Sequence, residues 1–485
     1  MDLTVLREPD LEFGGEQRHI DIRFGLMQSG PLDSGRPTAP RHIKVGLVGP
    51  PDELEGLSEW LERCRNELPP KESRFPNLFP RFPGCGPGGP LETELVIAPE
   101  LTATTDSRAE REVLSLPRDA DALESAIALF ADRCDALDEK VRPDLFVCAP
   151  SDELLEAFDA EIPEGGADET VGDTPKGRSF HDVLKARLLR LRRPVQMVRP
   201  ETYRSGERRR RRKRGRGAPV VVRRVQDAAT RAWNLHVALY YKAGGTPWRV
   251  VRDAAAYATC YIGVSFYRSA EDDRLLTSMA QVFNERGEGV IVRGAYAKID
   301  KDDRRPYLER DDAAALLRTA LQTYRREHGN LPARIVVHKT SEHHALEREG
   351  FHAAAAEERI ALVDLVSLFP ASTRLFRAGY FPPLRGTLLS FSDQLELLYL
   401  RGSVPFYETY PGMYVPRPVG IRLDDVQSGG RHVAEEILAL SKQNWNNTQF
   451  DGGWPITVRA ARQVGDILKH LRPEDAMQAG YAFYM

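Results

Sequence analysis

The sequence predicts an α/β protein in two halves, a Rossmann-type parallel sheet followed by an RNase H-like half. Three observations predict it. Before residue 205, short apolar runs alternate with amphipathic helical segments, the order that builds a parallel sheet. From about residue 220, hairpin-like strands come first and strands joined by helices come after, which is the order of an RNase H-like domain. Between them lies "GERRRRRKRGRG", residues 206–217, whose like charges repel and keep it extended. At 485 residues the chain also exceeds one ordinary core.

In the first half, "RHIKVGLVGPPDELEGLSEWLERCRNEL" reads as a strand from Ile43 to Val48, a Gly-Pro-Pro turn and a helix. Helical spacing places Leu54, Leu57, Leu61, Cys64 and Leu68 near one face, with Trp60 beside them. The turn "GLVGPP" lacks the G-x-G-x-x-G phosphate loop, which argues against a dinucleotide. "ALESAIALFADRCDAL" is a second amphipathic helix, and "PDLFVCAPSDELL" repeats strand, turn and helix. "IPEGGADETVGDTPKG" is polar and glycine-rich and reads as a loop.

In the second half, "ATCYIGVSFYRS" reads as a strand, and "LLTSMAQVFNERGEGVIVRG" as a hairpin turning at Arg286-Gly287-Glu288-Gly289. "DDAAALLRTALQTYRREHG" is a helix opened by Asp311 or Asp312 and closed by Gly329. "ARIVVHKTS" and "RIALVDLVSL" are further strands, and "WPITVRAARQVGDILKHL" is read as a strand-to-helix unit. "HKTSEHH" brings His338, His343 and His344 within seven residues, but the spacing fits no zinc motif. His338 is read as a strand-end residue and the other two as the start of a solvated helix.

Composition narrows the partners. With 41% hydrophobic and 29% charged residues, the chain can fold into cores. Its formal net charge is −3, so any hold on nucleic acid must come from local basic clusters. Cys64, Cys85, Cys134, Cys148 and Cys260 form no C-x-x-C pair, which points to a reducing compartment. No apolar run reaches membrane-spanning length, and "MDLTVLREPDLEFGG" has no apolar leader. The expectation is a cytoplasmic protein. Arg208, Arg209, Arg210, Arg211, Arg212 and Lys213 are either a solvated insertion or an arm on a phosphate backbone.

"YYKAGGTPW", "YIGVSFYR", "RIVVHKTS", "QNWNNTQFDGGWPITVRAARQ" and the terminal "FYM", in this order, resemble the short prokaryotic Argonautes. The resemblance covers nearly the whole chain. It implies a Rossmann-like MID domain over 1–205, with an N-terminal extension, an arginine-rich linker at 206–219 and an RNase H-like PIWI domain over 220–485.

It also implies a pocket for the 5′ phosphate of a short guide. His181 and Lys185 stand at i and i+4 of "FHDVLKARL", Gln196 follows on the strand "PVQMV", and Lys242 precedes Gly244-Gly245. Two ammonium groups would neutralise the phosphate while an amide and an imidazole orient it. Lys242 is expected at the open floor of that pocket. The resemblance further implies that the carboxylate of Met485 holds Mg2+ against the first guide phosphates, a hard cation suiting oxygen donors. The apolar tail could alternatively dock on a partner protein.

For the second half, the resemblance implies a degenerate catalytic centre. Where active relatives carry metal-binding acids, this chain has Ser265, Thr340 and Ala461, and hydroxyls and a methyl cannot hold two divalent ions. Glu285, Glu288 and Asp451 do not restore the pattern. The expectation is therefore a non-enzymatic recognition subunit that uses a guide RNA and a single-stranded target DNA. Its implied partner is an APAZ-domain effector (a SIR2 first, a TIR or nuclease otherwise) in an immune system ending in NAD depletion and abortive infection. A stand-alone guide-directed endonuclease and a guide-indifferent nucleic-acid-binding subunit are the alternatives. Effector type, guide length, 5′ base and oligomeric state are not written in the sequence.

Overall fold

A computed structural model describes all residues except 160–178, 205–225, 252–256, 271–273, 283–288, 377, 380–381, 413–414, 451, 473–474 and 476. The arginine run Arg208–Lys213, the loop at 162–177, the turn at 286–288, and Glu285, Glu288 and Asp451 therefore lie outside the described residues.

Strand β1 (Asp2–Val5) opens the chain. Then come β2 (His42–Gly49), α1 (Pro51–Arg63), β3 (Glu94–Val96), β4 (Thr102–Thr104), α2 (Ala120–Lys140), β5 (Leu145–Cys148), α3 (Phe180–Leu188), β6 (Val195–Met197) and α4 (Ala228–Lys242). The first sheet runs β3-β2-β5-β6, with β4 also on β2, and every pairing is parallel. Strand alternation makes it the middle of three layers. Ile43, Val45, Leu47, Leu145 and Val147 face one cluster with Leu57 and Trp60 of α1 and Trp233 of α4. Val48, Phe146 and Cys148 face the opposite one, with Phe130 of α2 and Phe180 of α3. Pro51 starts α1 with Asp52 and Glu53 in its first turn, and Asp119 caps α2. Leu68 is buried as its spacing predicts, but α1 ends at Arg63, so a turn carries it inward.

The second half contains β7 (Thr259–Arg268), β8 (Leu275–Val282), β9 (Gly289–Tyr296), α5 (Arg310–His328), β10 (Arg334–Lys339) and α6 (Ala345–Glu357). It continues with β11 (Leu362–Pro370), β12 (Thr387–Ser392), β13 (Leu395–Leu398), β14 (Val419–Asp425), α7 (Gly430–Leu440) and α8 (Ile456–Leu468). Among the described residues its sheet has nine strands, ordered β1-β12-β13-β14-β11-β10-β7-β8-β9. Strands β7, β8 and β9 pair antiparallel, whereas β7-β10 and β10-β11 are parallel. That is the predicted RNase H-like order. Gly329 ends α5 at φ 74°, a left-handed cap that suits glycine. β1 sits on this second sheet, paired with β12.

Two local readings are corrected. Residues 452–455 form no strand; Pro455, at φ −64°, caps α8 directly because proline brings no donor to a sheet ladder. His343 is not solvated but 2% exposed, because Asp424 on β14 pairs with its ring. No described helix is long and apolar enough to cross a membrane.

α8 lies directly against β7. A Cβ on Gly263 would come 2.0 Å from the Thr457 carbonyl oxygen, so only glycine lets helix and strand meet there. Gly263→Ala should destabilise the protein by about 3 kcal/mol or more, because a backbone atom cannot move aside as a side chain can. Urea unfolding checks this, and an unchanged midpoint would contradict the contact.

Candidate functional site: a buried lysine pair at the chain's last residue

Ser179 precedes α3, and Phe180 locks its first turn by meeting Phe130 of α2 edge-on at 5.4 Å. This sends Lys185, one turn beyond His181, toward the second half. α4 is apolar nearly all round and ends at Lys242, after which Gly244 turns the chain at φ 92°. A Cβ on Gly245 would stand 2.3 Å from the Tyr240 ring, so that position also needs glycine. Asp33 pins the turn, accepting from the Tyr240 hydroxyl at 2.7 Å and the Thr246 N–H at 2.8 Å. Behind it, Tyr241 stacks on Trp445 at 4.6 Å, and Trp248 donates to the Lys442 carbonyl at 3.1 Å.

Lys185 and Lys242 are 4% and 3% exposed, and their ammonium groups converge on one atom, the oxygen of Met485. Lys242 Nζ reaches it at 2.5 Å and also donates to the Val195 carbonyl at 3.2 Å. Lys185 Nζ donates to the same Met485 oxygen and lies 3.4 Å from the Tyr484 carbonyl. Met485 is itself 3% exposed, and Tyr481 and Tyr484 pack beside it. Burial pushes Lys185 down to about 8 against the opposing charge of Asp182, and burial together with Lys185 pushes Lys242 well below the usual lysine range. Lys242 is thus enclosed where the sequence suggested an open floor, because the last residue of the sequence closes over it.

Gln196 stands next to Val195 on β6. Its amide nitrogen donates to the Met197 carbonyl at 3.0 Å, while its Oε1 is buried without a partner. His181 keeps its place one turn before Lys185, with Nδ1 2.8 Å from Asp182 Oδ1. Burial and then Lys185 lower the His181 pKa, against the hydrogen bond and charge of Asp182.

Sequence reasoning missed the carboxylates behind this site. Asp182 and Asp466 both lie near Lys469 Nζ, at 3.9 Å and 3.7 Å. Burial alone would raise Asp182, but the hydrogen bond and charge of His181, with Lys469, hold it below the usual range. Asp466 is pushed up to about 6, chiefly by burial. "FHDVLK" carries the signal for Asp182 in its His-Asp adjacency; nothing local links α3 to Asp466 and Lys469.

The three positions expected to be degenerate are neighbours in space. Val264 pairs with Lys339 in the parallel β7-β10 register, so Ser265 and Thr340 are the next positions along those strands. Ser278 on β8 donates to the Ala461 carbonyl at 2.7 Å and to that of Ser265 at 3.4 Å, tying α8 to β7. Lys339 is fully buried, paired with Glu347 and 5.5 Å from the Phe266 ring centre. The three histidines go separate ways. His338 meets Thr457 Oγ1 at 2.9 Å, His343 meets Asp424 Oδ2 at 2.7 Å, and His344 caps α6.

No family model matches the chain, and no curated protein matches it. Solved structures do. Clostridium butyricum Argonaute, bound to a guide DNA and a 19-mer target DNA, is 13% identical over 97% of this chain, with a TM-score of 0.63. Drosophila Piwi is 13% identical over 99% at 0.58, and Aa-Ago with externally bound siRNA is 12% identical over 99% at 0.59. Such likeness is one of fold: a Rossmann-like MID half followed by an RNase H-like PIWI half, as the sequence predicts. The chain spans about half the length of these structures, 53% to 56%.

The raised carboxyl of Asp466 predicts a pH signature. A folded pKa near 6 against an unfolded value near 3.8 makes the folded state hold more protons between those values, so this group favours folding as pH falls toward 4. Asp466→Asn should raise Tm at pH 7.5 and leave it nearly unchanged at pH 4. An equal shift at both pH values would contradict it.

Proposed function

We propose that this chain is a guide-dependent nucleic-acid recognition subunit, and that the lysine pair beside Met485 anchors the 5′ phosphate of a short guide. The observation that carries this reading is the convergence of two buried ammonium groups, from separate elements, on one oxygen. Burying two cations together is costly unless an anion compensates them. A phosphate entering here would meet Lys185, Lys242 and Gln196, with His181 one turn away. The reading takes the guide to be RNA and the target to be single-stranded DNA, with sequence read by base pairing and the protein holding the backbone.

The donor set fits Mg2+. A phosphate dianion entering beside the Met485 oxygen would bring hard oxygen donors next to it, the kind Mg2+ takes together with its own waters. The Met485 oxygen and the guide phosphate would hold it, and it would supply a positive charge beside that phosphate.

The second half supports sensing rather than cutting. Ser265 and Ala461 are tied by a serine hydroxyl, and the nearby buried cation, Lys339, already has its carboxylate in Glu347. An APAZ-domain effector, SIR2 first and TIR or nuclease otherwise, would then carry the enzymatic output of an immune response. The chain's half-length match to the solved Argonautes is compatible with a second polypeptide completing the assembly. The stand-alone endonuclease remains the second reading, favoured only by the RNase H-like sheet.

Two measurements test this. A guide with a 5′ phosphate should bind at least about tenfold tighter than its 5′-hydroxyl counterpart, one charge-assisted contact being worth roughly that much. Lys185→Ala with Lys242→Ala should abolish the preference, and it should also shrink from pH 7 to pH 9 as Lys185 loses its proton near 8. Equal affinity for the two guides would sink the anchor. Separately, purified protein with guide, complementary target and Mg2+ should leave the target intact; cleavage would establish the endonuclease reading.

A further inference from the structure

The two edges of the nine-stranded sheet are finished differently. At one, β9 is met by Gly480, and the Ile291 N–H bonds to the Ala479 carbonyl at 2.8 Å. At the other, β1 pairs with β12 alone among the described residues. The Leu6 N–H donates to the Gly386 carbonyl at 2.9 Å. Antiparallel bonding alternates along the strand, so Thr4 and Asp2 bond inward as well. The N–H and C=O groups of Leu3 and Val5 therefore point outward, away from β12. Edge strands are commonly blunted by a lysine, a proline or a bulge. β1 is short, but it carries none of these.

The two faces of this edge differ in character. Leu388 and Leu398 face α7, whereas Leu389 and Leu397 join Ala371 in a small cluster on the opposite face. Leu3 stands opposite Leu389 in register, and Val5 shares its face two residues on. Both are open, at 61% and 47% exposed, so an apolar ridge extends past the covered part of the sheet. The α7 side is acidic. Asp2, Asp393 and Glu396 line a cavity of about 410 Å³, and no lysine or arginine lines it. Asp2 and Asp393 are exposed. Burial raises the Glu396 carboxyl against a hydrogen bond from Ser390, and the charge of Asp2 adds to the rise.

These features select the occupant. An open ladder takes a strand, main chain to main chain. Nucleic acid and anionic membranes are repelled by the carboxylates. A second copy fits poorly, because any register that keeps Leu3 on the apolar face sets Thr4 or Leu6 beside Asp2, never a cation. Arg7 has the parity of Leu3, and it already pairs with Asp10 at 2.9 Å. We propose that a different polypeptide docks here by adding a strand to β1, with apolar side chains against Leu3 and Val5 and lysine or arginine at the alternate positions, beside Asp2 and Asp393. The surface involves neither Lys185 nor Lys242 and does not rest on the guide reading.

Isothermal titration of the full chain with a short capped peptide alternating lysine and valine tests it, against the same peptide with glutamate for lysine. The lysine peptide should bind, and the glutamate peptide should bind about tenfold more weakly or less, one charge-assisted contact's worth. Val5→Pro removes an outward N–H and leaves the ladder to β12 whole, so it should weaken the lysine peptide about tenfold. Asp2→Lys, on an exposed side chain, should weaken it likewise and improve binding of the glutamate peptide. No binding of the lysine peptide, equal affinity for the two peptides, or affinity unchanged in either variant overturns the proposal. So does a concentration-dependent dimer in sedimentation that Val5→Pro abolishes, since that gives the edge to a second copy.

Discussion

Two lysines share one oxygen, and much of the molecule is arranged around that contact. Lys185 is 300 residues from Met485 in sequence and Lys242 is 243. Their ammonium groups therefore close a loop through nearly the whole second half. The surrounding cluster is continuous, running from Trp233 and Tyr240 through Ala461 and Val464 to Tyr484. The two halves thus share a core beside the buried lysine pair, and loss of either lysine would reach both.

A second constraint comes from the approach of α8 to β7. With Gly263 facing the Thr457 carbonyl, helix and strand are nearly in backbone contact. Ser278 bridges the two elements with its hydroxyl. In RNase H-like chemistry, carboxylates there must stand apart to hold ions. In this chain helix and strand pack closely at that place, and the buried Lys339 is matched by Glu347.

How far the sequence foretold this depends on the distance over which each signal acts. The apolar runs "HIKVGLVG" and "LFVC" mark buried parallel strands, and their residues split between the two clusters on either side of the sheet. Glycine marked Gly329 and Gly244, because left-handed φ is a local demand, whereas Pro51, read as part of a turn, already opens α1. The tandem Lys185, Lys242 and Met485 was legible only through resemblance, since nothing in "ALYYKAGG" tells which atom the ammonium will meet. Burial of Lys242 was not legible at all: it depends on a residue 243 positions away. The same holds for His343, whose partner Asp424 sits 81 positions downstream, and for Asp466, whose raised pKa comes from its burial in the fold. Pro455 was misread because an apolar run of this length suits strand and buried helix equally.

The position of β1 bears on how the chain comes to exist. β1 cannot pair until residues far downstream exist, because its ladder partner is β12 and the ion pair from Glu8 reaches Arg385, 377 residues on. At about 5–20 residues per second, a ribosome takes roughly 20–80 s to supply them. During that interval Leu3 and Val5 have no sheet to join, while the parallel sheet of the first half can already form. Birth order therefore favours an assembled first half that waits, with a loose leading segment, for the sheet that will capture it.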